Sequence, residues 1–240
     1  MVKQKKLSIF SLKTSILFIL TFFLIILYFY FSSYFEINNV SKAYITNQGD
    51  NTVSIIDLET LKPLKTLKVG VAPLGITILQ KKKLVFVGNV GTDDISVIDA
   101  VNDTLIKTIK LGTAPLSLAS NSEETEVYVT DWFQNNVLTI SADEMKVTRR
   151  LKVGVTPSGI AYNKKYKYKV ITNRDANTLE IYNEDDDLVK KIETGNHPFG
   201  VYSEGDFAYV ANVYDDSVSI INLVDWSKYE FMVGAHPYNV

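Results

Sequence analysis

From about residue 40 onward, the chain shows short apolar stretches separated by polar turns in a pattern that repeats. Residues 44–57 read YITNQGDNTVSIID, with apolar residues alternating with others on both sides of a polar centre. Alternation of this kind predicts two β-strands joined by a turn. Four later stretches repeat the pattern: FVGNVGTDDISVID from Phe86, YVTDWFQNNVLTIS from Tyr128, VITNRDANTLEIYN from Val170 and YVANVYDDSVSIIN from Tyr209.

The repeat has a period of about 40 residues, because the five copies start 42, 42, 42 and 39 residues apart. A Gly-x-x-Pro motif recurs with nearly the same period, beginning at Gly70, Gly112, Gly154, Gly195 and Gly234. We expect Gly to supply a positive φ there and Pro to fix φ where the chain re-enters a sheet. One period holds four predicted strands, at 115–119, 126–130, 137–140 and 147–153. Four strands per period predict an all-β fold, a β-propeller of about five four-stranded blades.

The repeated motifs resemble a known family. YITN at Tyr44, YVTD at Tyr128, VITN at Val170 and YVAN at Tyr209, each followed by a strand and the Gly-x-x-Pro return, resemble the YVTN-repeat β-propellers over about residues 40–240. The resemblance implies a propeller, commonly a ring of seven blades. Members and their relatives serve as surface proteins, binding platforms and sometimes enzymes, so the resemblance implies a fold more specifically than a function.

The two ends of the repeat region are complementary. The first copy begins with a second strand at 42–46, and the last Gly-x-x-Pro is followed by a single inner strand at 237–240. Pairing of these segments, a "Velcro" closure, would complete the first blade and close a ring of five blades without an open edge. We predict this ring. The alternative is an arc of a larger ring, left by an early stop or completed by a second chain.

The N-terminus is of a different kind. Four lysines among the first 13 residues precede an uncharged apolar run at 14–35, and about 20 helical residues suffice to cross the ~30 Å hydrocarbon core of a bilayer. A cleavable signal peptide is the alternative, but the run is longer than its usual apolar core and no small-x-small site follows. The predicted segments are a cytoplasmic basic segment at 1–13, a transmembrane signal-anchor helix at 14–35, a linker at 36–42 and the propeller at 43–240.

The lysines before the helix place the N-terminus in the cytoplasm and the propeller outside, in a periplasm or in the extracellular medium. The 25 basic residues are balanced by 27 acidic ones, which argues against nucleic acid as a partner. The chain has no cysteine, so disulfides and thiolate sites are excluded. The common catalytic and nucleotide-binding motifs do not occur, and no cofactor is expected.

Comparison of the five copies separates turn chemistry from candidate function. Two positions of the loop after the second strand hold Asn or Asp in every copy, and such side chains bond turn backbone and tolerate a left-handed φ. Between them the copies diverge, and large aromatic residues and an arginine occur where the turn does not need them. Aromatic residues and Arg carry much of the binding energy in interfaces. The alternative is that the aromatic rings only cover neighbouring blades.

The two histidines share one position of the repeat, directly before Pro, on the same predicted face. They are solvent-facing residues or, in the alternative, groups for acid–base or metal chemistry. A zinc site needs three or four ligands, and no carboxylate is placed next to both, so no metal is predicted. The acidic run at 184–187 is predicted to be a solvated turn. The predicted loop-face binding residues are Trp132, Phe133, Arg174, Tyr214, His197 and His236.

These features predict a membrane-anchored extracytoplasmic propeller that acts as a protein- or ligand-binding or scaffold module, because no catalytic constellation is evident. One alternative is a propeller enzyme or redox-linked protein, lyase- or lactonase-like or associated with metal or haem, that uses His197 and His236 at the mouth of the channel. Another is a truncated fragment of a larger propeller.

Overall fold

A computed structural model describes residues 20–30 and 41–240. Residues 20–30 are helical. Among the described residues, no helix combines the length and the apolar character needed to span a membrane. The predicted anchor at 14–35 extends beyond the described helix on both sides. It remains a prediction, as do the basic segment and most of the linker, which lie outside the described residues.

The described residues form nineteen β-strands. They are β1 (Lys42–Asn47), β2 (Thr52–Asp57), β3 (Pro63–Lys68), β4 (Pro73–Leu79), β5 (Leu84–Asn89), β6 (Asp94–Asp99), β7 (Thr104–Lys110), β8 (Pro115–Ser120), β9 (Glu126–Asp131), β10 (Asn136–Ser141), β11 (Lys146–Lys152), β12 (Pro157–Asn163), β13 (Tyr168–Asn173), β14 (Thr178–Tyr182), β15 (Leu188–Glu193), β16 (Pro198–Glu204), β17 (Phe207–Asn212), β18 (Ser217–Asn222) and β19 (Lys228–Met232).

The strands form five sheets in chain order. The first sheet has the three strands β1–β3, and the second to fifth sheets each have four, β4–β7, β8–β11, β12–β15 and β16–β19. Neighbouring strands run antiparallel, as in the pairings of β8 with β9 and β9 with β10. The four strands predicted for one period match β8–β11 to within one or two residues. The prediction of an all-β fold with a four-stranded unit per repeat is confirmed.

The chain divides into two compact units. The first contains Met1–Ala43 and Asp57–Lys62, and the second contains Tyr44–Ile56 and Pro63–Val240. In the first unit, the carboxylate of Asp57 accepts hydrogen bonds from the N–H groups of Glu59 and Thr60 and so forms a turn. All candidate site residues and the apolar cores lie in the second unit.

The cores of the second unit lie between successive sheets. Tyr44, Val53 and Ile55 of the first sheet, for example, share one buried cluster with Val85 and Val87 of the second. Three further clusters join the second sheet to the third, the third to the fourth and the fourth to the fifth. The inner sheets are therefore buried on both faces, which explains why their second and third strands read as nearly continuous apolar runs.

The recurring Asn and Asp residues have the structural role that was predicted for them. One column has a left-handed φ in every copy: Asn51, Asp93, Asn135, Asn177 and Asp216. Four of these side chains also accept the N–H of the residue before the next Gly-x-x-Pro proline, as Asn177 does from His197 at 2.9 Å. The other column connects the loop to the third strand of the sheet by side-chain hydrogen bonds. Asn212, for example, donates to Ser217 and Ser219 of β18.

The expectation for the glycines of Gly-x-x-Pro is correct at Gly112 alone, where φ is +72°. The positive φ lies elsewhere in the motif, on Ala72, Thr156, His197 and His236, directly before the proline. At Gly154 and Gly195, Gly is needed for space instead. A Cβ on Gly195 would lie 2.7 Å from Cγ of Asn212, and a Cβ on Gly154 would lie 2.6 Å from Cγ of Asn173.

The predicted closure by residues 237–240 is not formed. The first sheet consists of β1–β3, and among the described residues no fourth strand pairs with it. Residues 237–240 form no strand and lie beside β16 instead, where the carbonyl of Tyr238 accepts the N–H of Gly200 at 3.0 Å. In the third to fifth sheets, the inner strand lies beside the inner strand of the preceding sheet. Residues 237–240 lie in the same way beside β16, and they do so without pairing with β1.

The acidic run at 184–187 lies in the turn between β14 and β15, as predicted, and Asp185 and Asp187 are exposed, but Glu184 and Asp186 are held by ion pairs. Asp186 forms ion pairs with Lys169 and, at 3.3 Å, with Arg149 of β11 in the preceding sheet. Glu184 accepts the hydroxyl of Tyr162 at 3.0 Å and pairs with Lys167. The run therefore supplies carboxylates to an ion network that links the third and fourth sheets.

Candidate binding site on the loop face

The candidate residues lie where two kinds of segment meet: the loops after the second strands and the Gly-x-x-Pro returns. Backbone hydrogen bonds hold these segments together within each sheet. The N–H of Arg174 donates to the carbonyl of Thr156 at 2.9 Å, and the N–H of Tyr214 donates to the carbonyl of Asn196 at 3.2 Å. The fold thereby fixes the positions of loop residues that differ from copy to copy.

Arg174 and Trp132 form the first contact between sheets. The guanidinium of Arg174 lies 5.6 Å from the centroid of the Trp132 ring, within the range of a cation–π interaction. Its Nη1 donates to Asp175 at 2.7 Å, and the hydroxyl of Thr156 donates to the other oxygen of Asp175, also at 2.7 Å. Asp175 therefore orients the arginine over the indole, and the two predicted residues are brought together.

Two aromatic residues that were not predicted extend this contact. The ring of Phe199 lies 6.1 Å from Trp132 and 5.5 Å from Tyr238, the latter in edge-to-face geometry. Both residues directly follow the prolines of Gly-x-x-Pro motifs. The same position holds Leu74, Leu116 and Ser158 in the other copies. Comparison at this position would have found them, because only these two copies carry an aromatic residue there.

The two histidines lie on either side of Tyr214. The centroid distance from Tyr214 is 4.3 Å to His197 and 6.0 Å to His236. Nδ1 of His236 lies 3.2 Å from the carbonyl of Val213. His197 is half-buried, its Nε2 lies 3.8 Å from Oδ1 of Asp175, and its buried Nδ1 has no hydrogen-bond partner among the described residues. His197 is therefore only partly solvent-facing, whereas His236 is exposed.

Asp175 joins the two groups, because the same Oδ1 contacts Arg174 and faces His197. We call the combined set the loop-face cluster. Its members come from the third to the fifth sheets and the segment after them: Trp132, Arg174, Asp175, His197, Phe199, Tyr214, His236 and Tyr238. Tyr214 and Tyr238 remain 56% and 61% exposed, so the cluster presents aromatic surface to solvent.

Phe133 does not join the cluster. Its side chain is 73% exposed and makes no ring contact among the described residues, while its N–H donates to Asp131 at 3.2 Å. Successive loop residues point in different directions, and here Trp132 packs inward while Phe133 projects outward. The structure therefore brings Trp132, Arg174, Tyr214 and the two histidines together and leaves Phe133 apart. The role of all six residues in binding stays a prediction.

The cluster contains one cation and one carboxylate that neutralise each other, surrounded by aromatic rings and two imidazoles. Within residues 20–30 and 41–240, no three His, Asp or Glu side chains converge in the way that metal ligands do. The arrangement can stack flat groups on its rings and donate hydrogen bonds from the guanidinium. It can also move a proton at His197, which faces Asp175.

Comparisons with known proteins find similarity in structure. No protein-family model matches the chain, and no curated protein matches it in sequence. A solved structure of a catalytically inactive histidine-to-alanine variant of virginiamycin B lyase from Staphylococcus aureus, with quinupristin, is similar with a TM-score of 0.73. The two chains share 15% sequence identity over 85% of this chain and 71% of that one.

Two further structures show the same likeness. A functionally unknown protein from Desulfotomaculum acetoxidans has a TM-score of 0.73 and 16% identity, over 83% of this chain and 68% of its own. Hydrazine synthase from Kuenenia stuttgartiensis has a TM-score of 0.64 and 15% identity, over 83% of this chain and 85% of its own. At such identities the likeness concerns the fold, and the chain is a propeller-like all-β protein.

Proposed function

We propose that this protein is a ligand-binding propeller whose loop-face cluster captures its partner. The observation that carries the proposal is the cation–π contact of Arg174 with Trp132 and its continuation to Phe199 and Tyr238 across sheet boundaries. Trp, Tyr and Arg are the residues most enriched among those that dominate binding energy. The fold does not need them at these positions, because other copies of the repeat have Gln, Val, Leu or Ser there.

The ligand class follows from the groups present. Rings of Trp132, Phe199 and Tyr238 offer flat apolar surfaces, which favour an aromatic or planar group. Among the described residues, the side chain of Arg174 bonds only to Asp175, through Nη1, so further guanidinium N–H groups remain for a carbonyl or carboxylate. We infer a peptide-like ligand that carries an aromatic side chain next to such an acceptor.

The location belongs to the same proposal. The basic segment, the apolar run and the short linker favour a membrane-anchored protein whose propeller faces the cell exterior or a periplasm. Membership of the YVTN-repeat family is likewise proposed, on the motifs at Tyr44, Tyr128, Val170 and Tyr209. A binding module held close to the membrane surface suits capture of a ligand from outside.

The binding proposal is tested with the full chain in detergent and a panel of short peptides, with and without an aromatic residue. Binding is measured by calorimetry. Peptides with an aromatic residue should bind, and the double variant Trp132→Ala/Arg174→Ala should weaken their binding at least about tenfold, as expected for central interface residues. Phe133→Ala is the matched control, because its exposed ring lies outside the cluster. Equal losses in both variants, or none in either, would refute the assignment.

A second candidate function is a lyase-like enzyme. The observation that favours it is His197, whose buried Nδ1 is unpartnered and whose Nε2 faces Asp175. A structural neighbour is a lyase whose histidine-to-alanine variant is catalytically inactive. Incubation with quinupristin, followed by mass analysis, tests this candidate. A product that is formed by the wild type and not by His197→Ala supports the enzyme, and an unchanged substrate eliminates this activity.

A further inference from the structure

The fifth sheet has an apolar face that no other sheet of the described residues covers. At the position of Tyr209, the preceding sheets carry Tyr44, Phe86, Tyr128 and Val170, all at most 8% exposed. Tyr209 is only half-buried, and it packs against the exposed rings of Tyr202 and Phe207, with centroids 6.4 Å away in both cases. Ile220 on the neighbouring strand is also half-buried, although its equivalents Ile55, Val97 and Ile181 are fully buried.

The first sheet has the complementary face, which is also uncovered. Ile45 is 47% exposed, whereas the residues at its position in the next four sheets are fully buried. These are Val87, Val129, Ile171 and Val210. Each of them packs against the preceding sheet, and Ile45 has no such sheet to meet among the described residues.

One pairing rule describes all four joints between sheets. A residue of the Tyr209 column and the residue of the Ile45 column in the following sheet belong to the same buried cluster. The pairs are Tyr44 with Val87, Phe86 with Val129, Tyr128 with Ile171 and Val170 with Val210. The next pair in this series is Tyr209 with Ile45. Tyr209 is only half-buried and Ile45 is 47% exposed, so within the described part of the chain the first sheet does not cover the fifth.

The first sheet and the segment that follows the fifth sheet are also complementary in their strands and turns. Among the described residues the first sheet has no inner strand, and residues 237–240 lie beside β16, in the place of an inner strand, without a sheet of their own. Gly195 lies against Asn212, the last residue of the second strand of its sheet. Gly234 has no such Asn beside it, because a Cβ there would meet nothing within 4 Å. The equivalent Asn on the first sheet is Asn47, which makes the same hydrogen bonds to Thr52 and Ser54 that Asn212 makes to its serines.

We propose that the fifth sheet docks the first sheet of a second copy of this chain, head to tail. The occupant must present an apolar residue at the Ile45 position, an Asn at the Asn47 position and a sheet that lacks its inner strand. This chain carries all three on one surface. The new joint continues the interface that already joins its sheets four times, and residues 237–240 of one copy supply the inner strand of the other. Such a heterologous interface produces rings or longer assemblies, not a two-fold symmetric pair.

Cross-linking of the full chain in detergent tests the proposal, and the absence of cysteine makes each introduced thiol unique. Ile45→Cys and Tyr209→Cys variants with different tags are mixed and treated with a short bismaleimide. The expected result is a link between the two variants. A mixture of two Ile45→Cys proteins should yield about tenfold less, because a head-to-tail interface does not bring identical positions together.

Two results would overturn the proposal. One is a link within a single chain of the Ile45→Cys/Tyr209→Cys double variant without links between chains, which would show closure of one chain on itself. The other is the absence of any link together with a monomer mass by light scattering. Ile220→Asp should weaken association by about tenfold or more, since it buries a charge in the joint. Leu105→Asp, on the exposed outer strand β7, is the matched control and should leave association unchanged.

Discussion

Lys169 offers a sharp test of how a buried ion pair within the fourth sheet contributes to stability. Its side chain is 1% exposed, and its ammonium pairs with Asp186 and lies 5.3 Å from the ring centroid of Tyr128. The equivalent positions of other sheets hold Val85, Val127 and Ala208, so this buried cation stands in an otherwise apolar column. Asp186→Ala leaves the ammonium buried without its carboxylate.

Loss of one partner of a buried pair costs about 3–5 kcal/mol. The carbonyl of Glu184, at 3.4 Å, and the Tyr128 ring remain as partial compensation, so we expect about 3 kcal/mol. At roughly 2–4 °C per kcal/mol for a domain of this size, the melting temperature should fall by about 6 °C or more. Lys169→Met removes the cation and keeps its volume, so it should cost less than about 1 kcal/mol or even stabilise the protein.

The assay is urea and thermal unfolding of the wild type, the two single variants and the double variant Lys169→Met/Asp186→Ala. The double variant should be more stable than Asp186→Ala alone, because the unpaired cation is gone. A loss of less than about 1 kcal/mol in Asp186→Ala, or a double variant no better than that single one, would refute the interpretation of Lys169 and Asp186 as a buried, stabilising ion pair.

Three further predictions concern other contacts within and between the sheets. Gly195→Ala should destabilise the protein by about 1–3 kcal/mol in urea unfolding, because its Cβ would lie 2.7 Å from Cγ of Asn212, whereas Gly49→Ala, with nothing within 4 Å, should not. Thr172→Val should cost about 1–3 kcal/mol in the same assay, because its hydroxyl bonds the carbonyl of Phe199 at 2.6 Å and the N–H of Gly159 at 2.8 Å. Hydrogen bonds from Lys165 and Tyr166 lower the pKa of Asp206, so its contribution to stability is present above the ordinary carboxyl pKa and is lost as the pH falls through the lowered value. The melting temperatures of wild type and Asp206→Asn should therefore differ at pH 7 and converge in acid, and a difference that does not change with pH would contradict this.

The sequence predicts the sheets well because their cause is local. Strands β8–β11 follow from alternating residues and from turn residues such as Asn135, whose left-handed φ was expected from its residue type. The closure of the first sheet is not predictable in this way. The first sheet and residues 237–240 have the same complementary pattern whether they meet within one chain or between two copies.

Part of the loop-face cluster could be found from the sequence for a similar reason. Trp132, Arg174 and Tyr214 stand out because they depart from the other copies at the same loop position. Phe199 and Tyr238 were missed because they directly follow the prolines of Gly-x-x-Pro motifs, outside the loop whose residues were expected to bind. Residue type alone does not tell which way a loop side chain points, so the sequence could not show that Phe133 lies outside the cluster. The partners of Asp186 depend on Arg149 of another sheet, about which the local sequence carries no signal.

The fluorescence of Trp132 tests the central claim most directly. The chain has two tryptophans, so Trp226→Phe leaves Trp132 as the only indole reporter. Titration of this variant with an aromatic peptide that binds the wild type should change the Trp132 emission saturably, with the affinity measured by calorimetry. When Arg174→Ala is added to this variant, the affinity derived from the titration should fall at least about tenfold. Binding by calorimetry with unchanged Trp132 emission would contradict a binding site at the loop-face cluster.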